Sequence, residues 1–422
     1  MFEDRYGLAV TTSSSAAFEL FEQSLDRTLA LRGGTRPLLE AAVEIDEGFA
    51  LAWSMLGVLL RGTGDLAGGA ELLARAVSLS DSVTARESSH IDVLSTFVAG
   101  RYADARTAAV AHLAEWPGDA VILMYAHYLF NLYVADDDRR ERHLELATYV
   151  ADRVPDDWYV LGELAFTSEE NGLYVQSRAL AERSLELNEY NGAAAHSLAH
   201  AYLETGEVLA GEAWLDPWIR NWPDPTPMTC HLTWHLALLR LADGRSVTDE
   251  VGEILTYVGR SIGVLSDGAS LMWRLHLAGA TDLPWDALAD VTGTAGHAFS
   301  NFHRAFVLAA VSDLEALQEL RADLVQRSDL GNPNAGVCAD VVEALRCFAV
   351  DDMVTAALHL VAAEPRWTCL GGSRAQLEIL EDTTIEALRR CGRVSEAQER
   401  LATRHARRPT ERDQAWLARI SV

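Results

Sequence analysis

Two histidine pairs could do chemistry. His196 and His200 lie in NGAAAHSLAHAYLE (Asn191 to Glu204), and His231 and His235 lie in CHLTWH, which opens at Cys230. Within each pair the spacing is i, i+4, which stacks both side chains on one face of a helix, with Cβ atoms ~5–6 Å apart. Glu204 extends the first stripe by one more such step. Imidazoles spaced this way let one helix supply two metal ligands. Two such helices side by side would hold a divalent transition metal such as zinc, as a tetrahedral or a dinuclear site. Without a metal, the same groups suit general acid–base catalysis, because histidine titrates near neutrality. The plainer alternative is that each ring is hydrogen-bonded to a neighbouring element and is structural. No H-E-x-x-H is present, so the metalloprotease signature is absent.

Other residues are candidates for the rim of such a site. Glu170 falls on a matching stripe one repeat earlier. His303, beside Asn301 and Arg304, joins only if the chain curls back; otherwise it is structural. The loop Gly371-Gly372-Ser373 precedes Gln376, and glycines with a helix N-terminus suit close approach of an anion or carboxylate. Ser373 is equally well placed as a plain N-cap, and no G-x-S-x-G elbow surrounds it. Cys230 adjoins His231, but neighbours in sequence do not face each other on a helix. It forms a dyad with His196 or His200, or it is a buried, inert thiol. Trp234 sits within the second pair as a ligand-facing ring, although Trp214, Trp218, Trp222 and Trp234 together read more naturally as core. Asp267, Ser270 and Arg274 share one helical face, where Arg274 anchors a carboxylate ligand or pairs with an acid. Thr84, Arg86, Glu87 and His90 read as a structural helix start with a Thr84–Glu87 capping box. His127 falls on a packing position.

These residues need helices to position them, and the chain supplies helical hairpins. From about residue 36 a period of about 34 residues recurs, the spacing of tetratricopeptide repeats. In Phe49 to Leu79, the residues Trp53, Leu56, Gly57, Leu60, Gly64, Gly69, Leu73 and Ala76 alternate large, small and turn types at the repeat's positions. Further repeats cover Arg86 to Pro117, Ala120 to Pro155, Tyr159 to Glu189 and Gly192 to Pro223. Prolines in WPDPTP (Trp222 to Pro227) break the helix, and helical hairpins then resume. The reading is an all-α, tetratricopeptide-like solenoid, strongly curved and curling around a central pocket, with no strand. Residues 1–35 form an irregular segment and a helix, 36–223 the repeats, and 224–422 hairpins that complete the same solenoid. In this frame His196, His200 and Glu204 occupy concave-face positions, and taking Trp234 as the fourth repeat position sets His235 beside His196.

Composition narrows the partners. The 422 residues are 49% apolar and carry a formal net charge of −27. Such a surface disfavours nucleic acid and anionic membranes. No apolar run is long enough to span a bilayer, and MFEDRYG lacks the features of a signal peptide. The five cysteines form no C-x-x-C, so free thiols in a reducing cytoplasm are expected. A homodimer is compatible with the sequence.

Motifs dispersed in order make the chain resemble the tetratricopeptide repeat protein 38 family, as a bacterial-type member. They are GLAVTTSS (Gly7 to Ser14), TARESSH (Thr84 to His90), AHSLAH (Ala195 to His200), CHLTWHLAL (Cys230 to Leu238), DGASLMWRL (Asp267 to Leu275), Trp285, FSNFH (Phe299 to His303) and GGSRAQ (Gly371 to Gln376). The family pattern has Asp where Asn301 stands and His where Arg374 stands, and either change alters the chemistry on offer. The resemblance implies a helical-repeat fold and no settled activity. Two functions are therefore expected. In the first, a pocket centred on His196, His200, His231 and His235 binds a small molecule and processes it by metal-assisted or histidine acid–base hydrolysis or group transfer. In the second, the chain is a non-catalytic scaffold for a peptide or partner protein. A His- and Glu-rich lining favours the first.

Overall fold

The computed structural model describes residues 1–134, 136–223, 226–259, 263–289, 291 and 297–420. The protein is all-α, a succession of helical hairpins with tetratricopeptide-like spacing, and it divides into two compact units. Unit 1 comprises Met1–Val134, Asp138–Leu198 and Asp224–Thr226; unit 2 comprises Ala135–Asp137, Ala199–Pro223 and Pro227–Val422.

Unit 1 opens with two paired antiparallel strands of two residues, β1 (Phe2–Glu3) and β2 (Ala9–Val10). The Asp4 carboxylate closes their connection by accepting from the backbone N–H groups of Tyr6 and Leu8, both at 2.9 Å, and Gly7 takes φ +73°. Strands this short show no alternating pattern, which is why the sequence reads as irregular here. Then follow α1 (Ser15–Leu29), α2 (Thr35–Ile45), α3 (Ala50–Gly62), α4 (Leu66–Ser78), α5 (Ala85–Val98), α6 (Tyr102–Glu115) and α7 (Ala120–Tyr128). A π-helical turn at Leu129–Tyr133 leads to α8 (Arg139–Ala151), α9 (Trp158–Glu170) and α10 (Tyr174–Leu187). The division between the units falls after Leu198, inside α11 (Gly192–Thr205).

Unit 2 continues with α12 (Val208–Arg220), α13 (Pro227–Ala242), α14 (Thr248–Leu255), α15 (Gly263–Leu277), α16 (Asp286–Ala289), α17 (Ala298–Ala310), α18 (Leu314–Asp329), α19 (Pro333–Ala349) and α20 (Met353–Ala363). A 3₁₀ segment at Glu364–Leu370 precedes α21 (Arg374–Arg390), α22 (Val394–Arg407) and α23 (Glu411–Ile420).

The α3–α4 hairpin shows why the repeat demands small residues. A Cβ at Gly69 would lie 2.7 Å from the Gly57 carbonyl oxygen, so only glycine lets the two backbones meet there. Gly64 makes the turn at φ +95°, and Leu73 and Ala76 are buried. Among the described residues of unit 2, Trp273 is one of two fully buried tryptophans, with Trp234. It packs 5.0 Å from Phe306 and 5.4 Å from Phe348, and its indole N–H donates to Thr383 Oγ1 at 3.0 Å. Each such buried aromatic contributes roughly 1.5–3 kcal/mol. Among the described residues, no helix is long and apolar enough to cross a membrane.

Candidate functional site

In unit 2, α13 and α15 bring an imidazole onto a buried carboxylate. His231 Nδ1 lies 2.9 Å from Asp267 Oδ1. Asp267 is buried, whereas the His231 side chain keeps 16% of its surface exposed. An ionised Asp267 accepts the proton carried on Nδ1, which leaves Nε2 as the basic nitrogen. The Trp234 ring stacks on His231 at 5.2 Å and fixes its plane. His235 meets the edge of His231 at 4.8 Å, and the His200 ring lies 4.4 Å from His235. The structure thus brings His200, His231, His235, Trp234 and Asp267 together in unit 2. Cys230 joins them, its sulfur 4.0 Å from Asp267 Oδ2. Burial, with the Asp267 charge added, pushes its thiol well up, so it is no nucleophile.

Unit 1 repeats the arrangement with residues the sequence does not single out together. His127 on α7 has Nδ1 3.0 Å from both oxygens of Glu163 on α9, and His143 Nε2 on α8 lies 2.8 Å from Glu163 Oε1. Burial opposes ionisation of Glu163. The His127 charge and the hydrogen bonds from both histidines outweigh it and hold the carboxyl at about 2. His127 keeps 22% of its side chain exposed, and Phe166 packs on it at 4.6 Å. His196 stacks on Phe166 as well, at 5.6 Å.

His127, His143 and Glu163 have the composition of a zinc site with an open position, and their ligand atoms lie within 4.8 Å of one another. Asn131 decides against it. Its Nδ2 donates to the His127 carbonyl at 2.9 Å, which the π-helical turn frees, while its Oδ1 accepts from Arg139 at 2.9 Å. With the amide so oriented, Nδ2 faces His143 Nδ1 at 3.4 Å and makes that nitrogen the acceptor. The proton then sits on Nε2, toward Glu163. A metal-ligating histidine needs the reverse, an N–H on the outer nitrogen. Burial also lowers the His143 pKa, which keeps the ring neutral.

The remaining candidates are held by other parts of the fold. Arg274 is fully buried; it donates to the Ala375 carbonyl at 3.0 Å and lies 3.4 Å from Asp382, not from Asp267. Glu204 pairs with Arg408 at 3.4 Å and Glu170 with Arg140 at 3.0 Å. Ser373 and Gln376 form a reciprocal capping box at the start of α21. His303 is buried between Phe299 and Phe302, with ring centroids at 4.5 and 4.1 Å, and its Nδ1–H donates to the Phe299 carbonyl at 2.8 Å. Burial lowers it to about 3 and keeps it neutral. Leu203, Leu238, Arg274, Glu378, Arg408 and Arg412 line a cavity of about 20 Å³, room for about one water.

The sequence missed His143, Glu163 and the acids and arginines at the end of unit 2. Arg404 grips Asp413 with two hydrogen bonds, at 2.6 and 2.9 Å, and Asp382 with a third at 2.7 Å. No local spacing announces such pairs. The structural reading of Thr84 to His90 is borne out: the capping box forms, and Asp119 gathers His90, His112 and Arg86 at 2.9–3.1 Å.

No family model matches the chain. Among solved structures it is similar to the human IFIT1 dimer with m7Gppp-AAAA, at 11% identity over 100% of this chain and 96% of that one, with a TM-score of 0.46. It is similar to yeast Tom70 at 12% identity over 96% and 95% of the two chains, with a TM-score of 0.36. It is also similar to the TPR domain of P58(IPK), at 11% identity over 89% of each chain and a TM-score of 0.22. At these scores the likeness extends to helical architecture alone.

Proposed function

We propose that this protein is a helical-repeat binding module that grips a peptide or partner protein, and that it is a bacterial-type relative of the tetratricopeptide repeat protein 38 family. One observation carries the binding reading. Each unit presents a half-buried imidazole fixed by a buried carboxylate, His127 on Glu163 and His231 on Asp267, at 3.0 and 2.9 Å. Most other charged candidates are turned inward and neutralised, as Arg274 is by Asp382 and Glu204 by Arg408. A fixed imidazole presents its ring to a partner in one orientation at low entropic cost, which is what recognition needs. The test is to select peptides from a random library on the full chain and measure their affinity for the His127→Ala and His231→Ala variants. A loss of tenfold or more in at least one variant, with melting unchanged, supports the reading. Unchanged affinity in both overturns it.

A second reading rests on the same Asp267–His231 pair, because a carboxylate-oriented imidazole is also the geometry of a general base. In that reading a small molecule is bound and hydrolysed or transferred around His200, His231 and His235, with or without a transition metal. Turnover of a panel of esters and phosphoesters that disappears in His231→Ala supports it. Absence of turnover, together with absence of bound metal in protein purified without a histidine tag, counts against it.

A further inference from the structure

The first thirteen residues lie on unit 1 as a small hairpin, Phe2–Glu3 paired with Ala9–Val10, that runs on into Thr11 to Ser13, and nearly all their anchors are at the ends of successive helices. Arg5 reaches Asp157, the N-cap of α9, at 2.5 Å and Asp26 at 2.8 Å, and the Tyr6 hydroxyl donates to Asp157 at 3.4 Å. Tyr6 also passes beside Gly118, in the turn before α7, where a Cβ on the glycine would touch the Tyr6 Cβ at 3.4 Å. The Ala9 carbonyl accepts from Arg86 at 2.6 Å, and the same guanidinium holds Asp119, the N-cap of α7. Thr11 donates its backbone N–H and its hydroxyl to the two oxygens of Glu87, both at 2.7 Å, in the first turn of α5. Thr12 Oγ1 and the Ser13 N–H donate to Asp46, the C-cap of α2 in the turn that leads to α3, at 2.6 and 2.7 Å. The segment therefore steps past α9, α7, α5 and α3 in turn. Apart from the Ala9 carbonyl, which accepts from Arg86, the segment contributes donors and the edge answers with carboxylates.

We infer that the turns leading into α3, α5, α7 and α9 form a docking edge for a donor-rich peptide, and that residues 4–13, entering through the Asp4–Leu8 turn, are its resident occupant. Asp46, Glu87 and Asp157 set three carboxylates along the edge, and Asp119 takes part only through Arg86, whose guanidinium it holds. The fitting ligand is a segment that presents a guanidinium near one end, hydroxyls near the other and no carboxylate between them. A second such peptide must first displace the resident one. The inference uses neither His127 nor His231 and stands or falls without them.

The test uses the full chain and a fluorescent synthetic peptide copying residues 1–15, read by anisotropy. In Arg5→Ala/Thr11→Val protein the resident segment is weakened, and the peptide should bind at least tenfold tighter than to the parent protein. Adding Glu87→Gln and Asp157→Asn should remove at least tenfold of that affinity. Both amides preserve the caps they replace, because glutamine serves in a capping box and asparagine is a good N-cap, and a thermal melt confirms folding. In the full chain, Glu87→Gln alone should speed hydrogen exchange at Leu8 and Thr11. Equal binding to the weakened and parent proteins, or binding indifferent to the two amide changes, overturns the inference.

Discussion

Asp267 shows how one buried group can define the chemistry of another. Its carboxylate selects which nitrogen of His231 carries the proton, and an amide in its place accepts or donates without that preference. Asp267→Asn should therefore weaken a library-selected peptide at least tenfold. The thermal melt should shift by only a few degrees, since the shape is conserved. His303 supplies a test of the opposite kind, of a histidine that is purely structural. Its folded pKa, about 3, lies below the ordinary 6.5 because burial disfavours the charged ring. The unfolded chain then binds more protons than the folded one between those values, so His303 takes stability away as pH falls from about 6.5 toward 3. One proton gives a slope of about 1.4 kcal/mol per pH unit. Urea titrations from pH 6.5 to 4.5 should show a shallower decline in His303→Gln than in the parent chain.

Elements were the most legible scale. Thr84 and Glu87 announce a capping box three residues apart, and it forms. The large and small positions of Phe49 to Leu79 foretell the α3–α4 hairpin because packing there is between neighbours in sequence. What stayed hidden depends on distant partners. Glu163 looks like any helical glutamate until α7 and α8 bring His127 and His143 to it. Residues 1–13 look shapeless because their bonds run to Asp46, Glu87 and Asp157. Thr84→Ala should cost about 1 kcal/mol through the lost cap. Gly69→Leu should cost more, roughly 1–3 kcal/mol of overpacking, because the side chain would strike the Gly57 backbone. Urea midpoints order the two.

At the scale of the whole molecule, charge is sorted. The chain carries a net −27, yet most of the fully buried charges in unit 2 meet opposite ones. Burial pushes Glu381 up to about 7 beside this cluster, while arginines hold Asp382 far below the usual carboxylate range. Removing one partner strands the others without water. Arg404→Met should therefore cost about 3–5 kcal/mol, read from chemical denaturation. The sequence could not show this network, since Glu204 and Arg408 alone lie 204 positions apart. The binding reading is tested most directly by calorimetric titration of a selected peptide into the parent chain and into Asp267→Asn. An affinity at least tenfold lower in the variant, with its melt preserved, is the expected result. Equal affinity in the two proteins would show that the oriented imidazole of unit 2 plays no part in binding.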